Sequence, residues 1–250
     1  MLAAMAAVAR CPECYRITRA DTGCPVHPDA LAEWIALPEP EDRFRPQVPG
    51  YDLRSRLGQG GFAMVYTAVD GAGREVAVKI AHAEDDARFA REAAALRRVG
   101  PPTVPELYAE GTIAGGRRTL VMERLVGETL TEAMAERPGN GAWPIDEVLP
   151  VARALCDALA RVHEQGVVHR DLKPQNVFLC QGGRLCLLDF GLARGVGAAD
   201  ELRAAAPDLT RTGERMGTVL YMSPEQCQEA REAGHRSDIY SLGIILFEML

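Results

Sequence analysis

Order is the strongest constraint in this sequence: strand-like segments crowd into its middle and helix-like segments follow. Residues 53–57, 63–69 and 75–80 are short runs with β-branched content, and the last two are joined by the tight turn Asp70-Gly71-Ala72-Gly73. β-Branched residues suit a pleated surface, so the three runs predict an antiparallel meander. Phe89, Ala93, Leu96 and Val99 then recur at spacings of four, three and three, on one face of a helix. A strand pair is expected around 104–108 and 119–123. Beyond it, Thr129-Leu130-Thr131-Glu132 has the capping-box pattern that opens a helix, and a longer helix over about 151–165 turns Leu155, Leu159 and Val162 inward before Gly166 ends it. Strands first and helices later indicate an α+β fold with two lobes.

Of the 250 residues, 47% are hydrophobic and 25% charged, a balance that supports a packed core and excludes disordered or collagen-like chains. Lys and Arg number 28 against 35 Asp and Glu, a net charge of −7, so the basic excess that non-specific nucleic-acid binding needs is missing. No nucleic-acid partner is expected. The apolar run 239–250 is interrupted by Ser241, Gly243 and Glu248 and falls short of the roughly 20 residues of a spanning helix. The start, Met1 to Ala9, lacks the charged region and cleavage site of a signal peptide. A cytoplasmic protein without a membrane span is expected.

Three of the seven cysteines lie in the first 24 residues, in Cys11-Pro12-Glu13-Cys14 and Cys24-Pro25-Val26-His27. Two knuckles with two soft or borderline ligands each are what a tetrahedral zinc ion requires, and such a site organises a segment too small to build its own core. Chance spacing, or a redox pair of Cys11 and Cys14, is the alternative. The expected organisation is a zinc-ribbon-like Cys3His segment over 1–28, a proline-rich linker over 29–49 and a folded domain over 50–250. Pro38, Pro40, Pro46 and Pro49, with Glu39, Glu41 and Asp42 between them, favour extended, solvated chain in the linker.

Gly58-Gln59-Gly60-Gly61 separates the first two strands. Glycines there let a backbone close over a phosphate chain and aim N–H groups at it, although such turns also occur without a ligand. On the third strand, Val76-Ala77-Val78-Lys79 sets a lysine among apolar residues. It is either an edge charge that snorkels or a buried cation placed for phosphate oxygens. Glu92, thirteen residues on, is either its counter-ion or a solvent-facing side chain. Then comes His169-Arg170-Asp171-Leu172-Lys173-Pro174-Gln175-Asn176, and thirteen residues after Asn176 stands Asp189-Phe190-Gly191.

This ordered set of glycine loop, strand lysine, helix glutamate, H-R-D-x-K-x-x-N and D-F-G resembles the protein kinase family, in particular the serine/threonine kinases of eukaryotic (Hanks) type that also occur in bacteria. Residues 217–225 resemble the family's substrate-docking loop and A-P-E motif, with Ser223 in place of Ala, and Asp238 matches the buried aspartate of the following helix. Ala63 stands where the usual glycine loop has its third glycine. The likeness covers residues 51–250.

The resemblance implies a bilobal fold: an antiparallel sheet plus one helix in the first lobe, and a mainly helical second lobe. It also implies phosphoryl transfer from ATP, with Mg²⁺, to Ser/Thr hydroxyls of proteins, in signal transduction. On that likeness Lys79, fixed by Glu92, holds the α- and β-phosphates, and Asn176 and Asp189 hold Mg²⁺. Asp171 orients the substrate hydroxyl and accepts its proton, Lys173 neutralises the transferred group, and Thr218 buttresses both. The nucleotide site comprises Leu57, Gly58, Gly60 and Gly61, with Val65 and Ala77 above the adenine and Phe178 below. Glu123 to Leu125 form the hinge and Met122 guards the back pocket; ordinary core packing also accounts for the apolar members. Leu96, Leu107, His169 and Phe190 fit the family's internal apolar stack. Arg170 before Asp171 implies an activation segment ordered by phosphorylation, for which Thr210 and Thr212, near Arg211 and Arg215, are the candidates for autophosphorylation. A catalytically inactive pseudokinase or scaffold is the alternative, disfavoured by the presence of Lys79, Glu92, Asp171, Asn176 and Asp189. A small-molecule kinase is disfavoured by the docking loop. Because Leu250 falls inside the helix that follows Asp238, the resemblance further implies that later helices of the second lobe are missing. The fragment is then expected to be poorly stable or inactive, and the parent has room for a membrane anchor.

Overall fold

The computed structural model describes residues 46–137, 142–193, 220–228 and 233–250, together with the backbone of 8–10, 17–19, 35–36, 194–195 and 219. The chain divides into two compact units, Met1–Pro46 and Gln47–Leu250.

In the first unit, β1 (Val8–Arg10), β2 (Ile17–Arg19) and β3 (Ile35–Ala36) form an antiparallel sheet of order β2-β1-β3, with Arg10 opposite both Ile17 and Ile35. Strand β3 lies inside the stretch expected as linker. The expected zinc ligands Cys11, Cys14, Cys24 and His27 lie outside the described residues. Among the described residues no group of three His, Cys, Asp or Glu is placed to hold a metal ion.

The second unit opens with the expected meander, longer than its sequence signal: β4 (Tyr51–Gln59), β5 (Ala63–Asp70) and β6 (Glu75–Glu84). With β7 (Leu107–Thr112) and β8 (Arg117–Glu123) they form a five-stranded antiparallel sheet of order β4-β5-β6-β8-β7. The β5–β6 turn is closed by Asp70, whose carboxylate accepts from the amides of Ala72 (3.0 Å) and Arg74 (2.9 Å), the local bonding that makes aspartate a turn residue. Side chains alternate across the sheet. Val76, Val78 and Ile80 pack with Leu53, Tyr66 and Val121 on one face, while Ala77, Ala81, Leu120 and Met122 lie on the other against Phe89 and Ala93 of α1 (Ala87–Val99). The small side chains of β6 let the helix approach closely.

The pair expected around 104–108 and 119–123 begins its pairing only at Leu107. Val104 is buried in the core of the second lobe instead, and Pro105, which has no N–H to give a ladder, follows it.

Helices dominate the rest. Thr129 caps α2 (Leu130–Ala135) through a complete capping box with Glu132. Helix α3 (Ile145–Glu164) starts well before the expected residue 151 and contains Pro150; Asp146 and Glu147 in its first turn suit the positive end of its dipole. Strands β9 (Gly127–Thr129), β11 (Val177–Cys180) and β12 (Leu185–Leu187) pair in the order β12-β11-β9, and β10 (Val167–Val168) pairs with β13 (Arg194–Gly195). Short α4 (Pro224–Gln228) precedes α5 (His235–Met249). The core of this lobe joins Leu155, Leu159 and Val162 of α3 to Leu242, Ile245 and Met249 of α5, with Leu172, Leu187 and Phe190 between. On the other side of α5, Ile239, Tyr240 and Phe247 are exposed. Among the described residues no helix is long and apolar enough to cross a membrane.

Candidate active site

Lys79 is placed by the strand period: it shares the Ala77 and Ala81 face of β6, beneath α1. On that helix Glu92 lies one turn beyond Phe89 and is 4% exposed. Lys79 Nζ donates to both carboxylate oxygens of Glu92 (2.8 and 2.7 Å) and to Asp189 Oδ1 at 3.2 Å. Thus Lys79 is a buried cation rather than a snorkelling edge charge, and Glu92 is its counter-ion rather than a solvent-facing side chain. Burial disfavours the charge on Lys79, but the carboxylates of Asp189 and Glu92 outweigh it and hold the ammonium above its ordinary range. Burial pushes the Glu92 carboxyl up against the pull of Lys79. The Lys79 ammonium beside Asp189 holds that carboxyl down at about 2.

The 169–176 segment folds on buried polar anchors. Asp238, fully buried on α5, accepts from the amides of His169 (2.9 Å) and Arg170 (2.8 Å) and pairs with His163 Nε2 at 2.8 Å. His169 itself is buried, its ring centroid 4.5 Å from that of Phe190. Leu96 and Phe190 share the core of this lobe and Leu107 packs against it, so the four side chains expected as an internal stack lie in or against one core.

Next in the chain, Lys173 Nζ lies 2.9 Å from Asp171 Oδ2. Asn176 Nδ2 donates to the Asp171 carbonyl (2.7 Å) and to Oδ2 (3.2 Å), while Oδ1 of Asp171 is buried and has no hydrogen-bond partner among the described residues. Burial raises the Asp171 carboxyl above its ordinary value although Lys173 opposes the shift.

These groups meet at a cleft of about 580 Å³ between the sheet and the helical lobe. Leu57, Gly58, Gly60, Gly61, Val65, Ala77, Met122, Glu123, Leu125 and Phe178 all line it, as do Lys79, Glu92, Asn176 and Asp189. Asp171 and Lys173 reach it through Asn176. Apolar walls with a few convergent charges suit a flat heterocycle carrying an anionic tail. Asn176 and Asp189 offer hard oxygen atoms of the kind that could hold Mg²⁺; because the Asn176 nitrogen is committed to Asp171, its oxygen is the atom left for a cation.

Three contributors carry no local sequence signal. Arg184 Nη2 bonds to Glu123 Oε1 at 2.6 Å, tying the 123–125 segment expected as the hinge to the β11–β12 hairpin. Arg88 stacks on Phe62 of the glycine loop, 3.3 Å from guanidinium carbon to ring centroid, and pairs with Asp86. Gln226 Nε2 bonds to the Arg170 carbonyl at 2.9 Å. An arginine or glutamine at such positions reads only as a polar surface residue until the fold supplies its partner. Thr210, Thr212 and Thr218 lie outside the described residues.

The family described as Protein kinase domain matches residues 51–250, the stretch that builds this cleft. The chain belongs to the protein kinase family. The kinase domain is 37% identical over 207 residues to the serine/threonine-protein kinase PknL of Mycobacterium tuberculosis, covering 80% of this chain and 49% of PknL. It is 39% identical over 207 residues to the DNA damage-responsive serine/threonine-protein kinase RqkA of Deinococcus radiodurans, covering 80% of this chain and 29% of the relative. For the serine/threonine-protein kinase pkn2 of Myxococcus xanthus the identity is 37% over 204 residues, covering 78% and 23%. The kinase domain thus matches about half the length or less of these curated relatives.

Proposed function

We propose that this chain is an ATP- and Mg²⁺-dependent protein serine/threonine kinase acting in signal transduction. One observation carries the reading: Asn176 lines the cleft with Lys79 and Asp189 and is bonded to Asp171 beside it, so cation, carboxylate and amide converge where a polyphosphate would end. Mg²⁺ supplies charge neutralisation at the transferred phosphoryl group. Lys79, held by Glu92, binds phosphate oxygens as a fixed cation, and Asp189 stays ionised as a metal ligand with Asn176. Asp171 orients the attacking Ser/Thr hydroxyl and takes its proton at Oδ1, while Lys173 fixes Oδ2 and neutralises developing charge. Val65, Ala77 and Phe178 enclose the base, and the backbone of 123–125 forms the hinge.

The complete set of Lys79, Glu92, Asp171, Asn176 and Asp189 favours a catalyst over a pseudokinase scaffold. Comparing labelling of a generic protein substrate from radiolabelled ATP by wild type and Asp171→Asn tests this; equal labelling by both sinks the reading. Thr210 and Thr212 are the proposed autophosphorylation sites and Thr218 the proposed substrate-loop contact. Phosphopeptide mapping after incubation with Mg·ATP should find one of the first two modified.

For the preceding segment the proposal is a structural zinc ion on Cys11, Cys14, Cys24 and His27. In its support, Arg10 and Ile17 are paired across a hairpin whose connection carries Cys11 and Cys14. Metal analysis giving less than about half a zinc per chain removes it.

A further inference from the structure

The residue before Asp171 adopts an unusual conformation. Arg170 has φ +68°, the left-handed region that a side chain other than glycine enters at a cost and that the surroundings must enforce. Two peptide planes flank it. The first, between His169 and Arg170, is held by Asp238 Oδ1 on the Arg170 amide. The second, between Arg170 and Asp171, is held at both edges: Gln226 Nε2 donates to its carbonyl oxygen at 2.9 Å, and its N–H donates to His169 Nδ1 at 3.3 Å.

Gln226 has no freedom to let go. It is 8% exposed, its Oε1 accepts from the Ser223 amide at 3.1 Å, and its own amide donates to Ser223 Oγ at 3.4 Å. Turning the side-chain amide over would set oxygen against the Arg170 carbonyl and nitrogen against the Ser223 N–H, losing both bonds. The hydroxyl of Ser223, at the alanine position of the A-P-E pattern, is part of this lock.

We infer that Gln226 is a positioning residue for phosphoryl transfer: it fixes the Arg170–Asp171 peptide plane and thereby the direction of the Asp171 carboxylate, linking the start of α4 to the catalytic segment. This rests on the role proposed for Asp171. Rotation of that plane changes ψ of Arg170 and φ of Asp171 together and swings Oδ1 away from an incoming hydroxyl. Reaction rate should suffer while nucleotide binding, built on Lys79 and the 123–125 backbone, should not.

The test compares Gln226→Met, which keeps the bulk and removes both polar atoms, with Gln228→Met, an exposed position of the same helix. Two readouts are taken on the full chain: hydrogen exchange of the peptide covering 168–173, and kcat with KM for ATP on a generic protein substrate. Gln226→Met should exchange faster over 168–173 and lose about tenfold or more in kcat, with KM for ATP within twofold; Gln228→Met should match wild type. Unchanged exchange in Gln226→Met overturns the inference whatever the activity, and so does faster exchange with unaltered kcat. Undiminished transfer by Asp171→Asn instead removes the phosphotransfer reading, while the exchange result still decides whether Gln226 holds the peptide.

Discussion

Lys79 Nζ sits 2.7 Å from Glu92 Oε2, joining the central strand of the sheet to the helix that covers it. Both side chains are largely buried, 14% and 5% exposed, so the pair is held in a medium that screens it poorly. Lys79→Met leaves Glu92 buried without its cation and Asp189 without its bonded ammonium. Removing one partner of a buried pair typically costs about 3–5 kcal/mol. Without the ammonium, burial and Asp189 push the Glu92 carboxyl further up, so above the ordinary carboxylate range the folded variant binds more protons than its unfolded chain. The variant's stability should therefore fall as pH rises. Thermal melts at pH 5.5 and 7.5 should show it more stable at the lower pH, and a melting temperature that rises with pH contradicts the assignment.

Asp171 and Asp189 are driven in opposite directions, upward by burial for the first and down to about 2 by Lys79 for the second. Above pH 4 Asp189 is already ionised, so the acid limb of the pH–rate profile should belong to the two carboxyls that burial raises, Asp171 and Glu92, and lie above the ordinary carboxylate range. Activity should fall as pH drops through that limb. Lys173→Ala removes the charge that opposes the upward shift and should move the limb to higher pH; a limb that stays in place would separate Lys173 from Asp171.

Asp238 satisfies two backbone amides and His163 from a fully buried position. Asp238→Ala orphans all three donors, and Arg170 loses one of the bonds that hold its left-handed backbone. A loss of about 3 kcal/mol or more is expected in urea denaturation. A loss below about 1 kcal/mol would show that water replaces the carboxylate.

Gly127 has φ +145°, and a Cβ there would stand 2.1 Å from the Leu179 carbonyl oxygen, in the β9–β11 pairing below the cleft. Gly127→Ala must displace backbone, at about 2–4 kcal/mol of stability, and should weaken nucleotide binding. Gly182→Ala makes the matching control: its φ is +92°, but the added carbon meets nothing within 4 Å, and about 1–2 kcal/mol is expected. Equal losses for the two would place the cost of Gly127 in conformation alone.

Much of the fold can be read locally. The meander, the inward residues of α1 and α3 and the capping box of Thr129 follow from periods of 2 and 3.6 and from hydrogen bonds spanning a few residues. Where expectation and structure part, a local rule was outweighed. The helix expected from about residue 151 begins at Ile145 and carries Pro150 within it, the packing surface of α3 being worth more than one absent hydrogen bond. Val104 has the composition of a strand residue and fills the helical core instead.

Residue types and their order determined by themselves which chemical groups this chain brings to its cleft: one strand lysine, the carboxylates and amide of the 171–189 region, and a glycine loop. Only the tertiary structure decided how they are held. Lys79 could have snorkelled, and Glu92 could have faced water, until α1 was laid across β6. Asp238 reaches back 68 residues to Arg170, Gln226 reaches back 56 and Arg184 reaches back 61 to Glu123. No periodicity records such pairs, because a single long-range hydrogen bond depends on where whole elements pack and leaves no repeat in the sequence.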